Sequence, residues 1–173
     1  MMDHAARAGK RAGEREERPM GERERIHDQH VRAFAGPAWS GPSVLESLEG
    51  VGTRAAAARP IPRAHTIWEI VLHIATWEDV VARRLTGEAY SPTDAQDWPP
   101  MGPATDEAWT EARGLLECSR RAVENALDTF DEARLDQPVV GQDYSAYIMV
   151  HGVCQHALYH AGQIALLKKA TLG

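Results

Sequence analysis

The sequence predicts an all-α protein, a four-helix bundle with short extra helices between the first and second long helices. Apolar residues recur at helical spacing along four long stretches, and helix-start and helix-stop residues bracket those stretches. No alternating run long enough for a strand occurs, since Val139-Val140 stands alone.

The first twenty residues, MMDHAARAGKRAGEREERPM, hold almost no large apolar side chain to offset the entropy of ordering. Residues 1–20 are therefore expected to be a disordered tail, and residues 21–173 a single bundle domain. Ile26, Val31 and Phe34 mark a first helix from Glu22, stopped by Gly36 and Pro37. Ser43-Val44-Leu45-Glu46 fits a capping box, in which side chain and backbone satisfy each other's free groups at a helix start. It opens a short helix ending at Gly50, and a second short one is expected over 53–58, before Pro60 and Pro62.

Thr66-Ile67-Trp68-Glu69 is another capping box, and Gly87 supplies the left-handed stop, so the second long helix should span 67–86. The Pro- and Gly-containing stretch SPTDAQDWPPMGPA then reads as a connection. Thr105-Asp106-Glu107 caps a third long helix, with Ala108, Ala112, Leu115, Ala122, Val123, Ala126 and Phe130 on its apolar face. The fourth is expected over 145–169, with Lys168 and Lys169 at its electronegative end.

Composition narrows the function. A net charge of -6 without clustered Lys or Arg in the domain argues against a nucleic-acid partner. The most apolar stretch, 146–167, is interrupted by three histidines and two glutamines, which argues against a membrane span. The amino terminus lacks the apolar run of a secretory signal, so the expected address is the cytoplasm. There the two cysteines, Cys118 and Cys154, are expected as buried thiols rather than a disulfide.

The histidines carry the chemical signal. Residues four apart on a helix lie about 40° from each other, so His156 and His160 share a face and can converge on one ion. Gly152 and Gln163 fall on the same stripe, Gly152 leaving a gap that serves either a ligand or close helix packing. His73, within the apolar run Ile70–Ala75, is the leading third ligand, because a buried imidazole is costly unless paired or coordinated. His151 points elsewhere on the wheel, and His65 is expected to close over the metal or pack against Trp68. His27 and His30 could line the bundle, with a surface position the favoured reading, and Glu69 is absorbed by its capping box.

His156-Ala157-Leu158-Tyr159-His160 lacks the glutamate of a zincin, and the one Glu-x-x-His unit, Glu24 to His27, falls short of a di-iron carboxylate bundle. Three neutral histidines would leave a divalent ion, Zn, Ni, Fe or Mn, with its full charge and open positions for water or a thiol.

TIWEIVLHIATWEDVVARRLTGE and HGVCQHALYHAGQIALLKKA, together with GPAWSGPSVLESL, resemble the DinB-like superfamily of small metal-binding bundles. The resemblance assigns His73, His156 and His160 as metal ligands. It implies a metal-dependent enzyme that activates a low-molecular-weight thiol or water for transfer to, or hydrolysis of, a small electrophilic substrate. A non-enzymatic metal-binding or stress-response bundle is the alternative. Gly152, Gln163, Trp77 and Tyr159 are the candidate substrate-pocket residues, no catalytic residue is assigned, and relatives imply a homodimer.

Overall fold

The computed structural model describes residues 19–172, so the tail expected over 1–20 lies almost wholly outside the described residues. Four long helices, α1 (Glu22–Ala35), α4 (Ile67–Leu85), α6 (Asp106–Thr129) and α7 (Ala146–Leu172), form the bundle. Two short helices, α2 (Val44–Leu48) and α3 (Thr53–Ala57), stand between α1 and α4 as expected. One more, α5 (Asp94–Asp97), lies inside the stretch read as a connection.

Both capping boxes form. Ser43 Oγ accepts from the Glu46 amide at 3.3 Å while Glu46 Oε2 accepts from the Ser43 amide at 2.8 Å. The Thr66 and Glu69 pair repeats this at 3.1 and 2.8 Å. Thr93 and Gln96 make the backbone half of the same arrangement, with the Thr93 amide donating to Gln96 Oε1 at 2.9 Å. That bond sets the start of α5 and was readable as T-x-x-Q. Gly87, at φ +94°, ends α4 in a conformation that favours glycine.

α4 packs against α6 and α7, and α1 packs against the same two, which leaves α1 facing α4 across the bundle. The apolar interior falls into two parts. One gathers Phe34, Trp68, Ile74, Trp109, Leu116 and Ile164. The other gathers Ile26, Val81, Leu85, Val123, Leu127 and Val150. Between them in sequence, on α1, α4 and α6, come the polar side chains His30, Glu78 and Arg120, with Glu124 one turn beyond Arg120. His30 is thus completely buried, not a surface residue, because its Nε2 lies 2.7 Å from Glu78 Oε2. Of the two thiols, Cys154 is buried but Cys118 is exposed, in a surface groove between α6 and α4. Leu115 is also exposed and Leu116 takes the core position. No helix among the described residues is long and apolar enough to cross a membrane.

Candidate metal centre

α4 and α7 bring His73, His156 and His160 together, with one ring nitrogen of each within 4.8 Å of the others. His156 Nε2 stands 3.0 Å from His73 Nε2 and 3.1 Å from His160 Nε2. Each outer imidazole is held from behind. His73 Nδ1 donates to the Asp97 carbonyl at 2.7 Å, with the Asp97 carboxylate at 3.2 Å. His160 Nδ1 donates to Gln163 Oε1 at 2.7 Å. Each hydrogen bond places the ring proton on Nδ1 and leaves the Nε2 lone pair directed at the cluster, the usual arrangement behind a metal-bound histidine.

Those tautomers make the cluster unsatisfied by itself. His156 Nε2 can donate one proton at most, so at least one of its two short contacts sets lone pair against lone pair. Its own Nδ1 is buried without a hydrogen-bond partner among the described residues. A protonated ring is disfavoured: burial first, then charge on His160 and His73, push His156 down to about 3. Burial likewise takes His160 down to about 4 and lowers His73. Imidazole nitrogens bound to one ion at about 2.0–2.1 Å sit roughly 3.0–3.4 Å apart, so the observed separations and the neutral donor set fit a divalent cation.

Aromatic rings enclose His73. Trp98 stacks on it at 3.8 Å, nearly parallel, and Trp77 approaches edge-on while its Nε1 donates to Asp97 Oδ1 at 2.6 Å. His65 packs on the far face of Trp98 at 3.6 Å, not against Trp68, so the indole separates it from the cluster. His151 faces Glu22 and Tyr147, and His27 faces Asp128, both away from the site. Glu69 keeps its capping role and adds an ion pair with Arg59. Asp97 and Trp98 were missed by the sequence reading, because they belong to the short α5 and the residue after it; the T-x-x-Q cap before them was the available signal.

A cavity of about 310 Å³ adjoins the cluster between α4 and α7, lined by Trp77, Val81, Arg84, Tyr144, Gly152 and His156 among others. Gly152 opens onto it: a Cβ there would meet nothing within 4 Å, which favours ligand room over close helix packing. Gln163 and Tyr159 do not line this cavity. Gln163 is engaged by His160, and Tyr159 is exposed with its ring 5.1 Å from that of His160.

A sequence model of the DinB superfamily matches residues 39–164, a stretch that includes all three histidines and Gly152. No curated protein and no solved structure matches the chain. With most of its length inside that match, the chain belongs to the DinB superfamily, which is metal-binding in general.

Proposed function

We propose that His73, His156 and His160 hold one divalent metal ion and that the protein is a metal-dependent enzyme acting on a small electrophilic substrate with a thiol or water as nucleophile. The observation that carries this reading is the meeting of three Nε2 atoms, two of which have their ring proton held on Nδ1, so that His156 cannot satisfy both of its neighbours with one proton. A divalent ion bound there supplies Lewis acidity, bringing the pKa of a thiol or water toward neutrality. The protein's own contribution is orientation and an apolar wall. Asp97 and Gln163 fix two ring tautomers, Trp98 covers one face of His73, and the mainly apolar cavity next to His156 offers room for a substrate's apolar part.

A non-enzymatic metal-binding role is the second reading, favoured by one observation: among the described residues no carboxylate lines the cavity beside the histidines to accept a proton. Metal content by plasma mass spectrometry separates the possibilities in order. About one ion per chain is expected in protein purified without chelator, and little in His156→Ala/His160→Ala. Loaded protein is then assayed for thiol transfer to electrophiles and for ester or amide hydrolysis. Turnover lost in the double variant supports the enzyme, and metal without turnover supports the binding protein. Failure to bind added zinc or nickel would overturn the metal site itself.

A further inference from the structure

The far end of the cavity carries a positive charge that the metal site does not use. Arg84, the penultimate residue of α4, is 6% exposed. Its three hydrogen bonds all go to neutral groups: Nε donates to the Tyr90 carbonyl at 2.8 Å, Nη1 to the Tyr144 hydroxyl at 2.5 Å and Nη2 to Ser91 Oγ at 3.3 Å. An arginine stays cationic in a protein, and burying that charge is costly unless an anion accompanies it. Among the described residues no carboxylate forms an ion pair with it. Its place in the last turn of α4 favours a cation at that electronegative helix end, but its hydrogen bonds to Tyr90, Ser91 and Tyr144 supply no counter-anion.

The chemistry left over is that of an anion site. A guanidinium has five N–H groups, and three are spent, one on each nitrogen. The Tyr144 hydroxyl accepts from Arg84 and so keeps its own proton to donate. Both side chains line the same cavity as His156, and the rest of the lining is largely apolar: Val81, Ile148, Met149 and Val153. From Trp77 to Arg84 on α4, and from His156 back to Met149 on α7, the helices each advance about 10 Å. The cavity therefore runs from the histidine cluster, along an apolar wall opened by Gly152, to a pair of donors.

We infer that the cavity recognises small amphipathic monocarboxylates about 10 Å long, their carboxylate held by Arg84 and Tyr144 and their other end presented to the histidine cluster. One guanidinium and one phenol balance a single negative charge, which matches a carboxylate better than a phosphate dianion. The inference rests on the proposed metal site only for where the reacting end lies; the anion subsite is independent of it.

The test is calorimetric titration of the full chain with octanoate, a straight-chain carboxylate of about that length, and with octan-1-ol as its neutral counterpart. Zinc-loaded protein, chelator-treated protein and the Arg84→Gln variant are compared, with metal content measured on each. Octanoate is expected to bind zinc-loaded and chelator-treated protein alike, and Arg84→Gln to weaken it about 10- to 100-fold while leaving octan-1-ol unchanged. Tyr144→Phe, which leaves the Arg84 anchor to the backbone intact, is expected to weaken octanoate by a smaller factor and serves if Arg84→Gln does not fold. Equal binding of acid and alcohol, or octanoate affinity that follows zinc and ignores Arg84 and Tyr144, would overturn the anion subsite while leaving the metal site standing. Arg84-dependent binding in a protein that takes up no metal would sink the metal reading alone.

Discussion

His30 and Glu78 face each other in the middle of the bundle with no solvent contact, and their protonation is tied to folding. Burial by itself would lower the His30 pKa, but Glu78, with Glu124 behind it at 3.7 Å, raises it to about 9. Burial raises Glu78 as well. Arg120 neutralises Glu124, and Cys154, whose thiol burial and the Glu78 charge push up to about 12, adds no charge. Both members of the pair thus hold protons to higher pH than in the unfolded chain, where a histidine titrates near 6.5. The contribution of His30 is complete below about 6.5 and is lost as pH rises through about 9. Urea unfolding followed by circular dichroism is expected to show stability falling across that window, by on the order of 1 kcal/mol per pH unit at the steepest. The variant His30→Gln/Glu78→Gln should flatten the profile, and an unchanged slope there would assign the effect to other groups.

Among the helices, α7 shows how one element serves packing and site together. Its inward residues Val150, Val153, Ala157, Ala161 and Ile164 build the core, while His156 and His160 lie to one side of that arc, toward α4. Gly152 is a local weakness in this helix, and its missing Cβ faces open space. Gly152→Ala is therefore expected to stabilise the fold by about 0.5–1 kcal/mol, because alanine loses less backbone entropy on entering a helix and nothing obstructs its methyl group. A raised urea midpoint with unchanged denaturant dependence would agree, and a lowered midpoint would mean that the gap serves packing. On α6 the adjacent Leu115 and Leu116 both suit an apolar arc in sequence. The assembled core takes Leu116 and leaves Leu115 in the surface groove beside α4.

Across the whole molecule, α4 and α7 supply every imidazole of the cluster, so an ion shared between them would act as a cross-link present only in the folded state. Zinc at about 100 times its dissociation constant is expected to add roughly 2.7 kcal/mol to stability. Differential scanning calorimetry should record a higher Tm with zinc, reversed by chelator and absent in His156→Ala/His160→Ala; equal shifts in both proteins would mean that zinc acts elsewhere. The order of the long helices, both capping boxes and the shared face of His156 and His160 were legible in the sequence, because each depends on neighbours within a turn or so along the chain. The pairing of His73 with them was expected from its apolar setting, but its place 3.0 Å from His156 follows from the packing of α4 on α7. The burial of His30, the hold of Asp97 and Trp98 on His73 and the bond from Arg84 to Tyr144 join residues far apart in sequence. No local pattern encodes such contacts: helix periodicity fixes which side chains share a face, and only the assembled bundle fixes what that face meets.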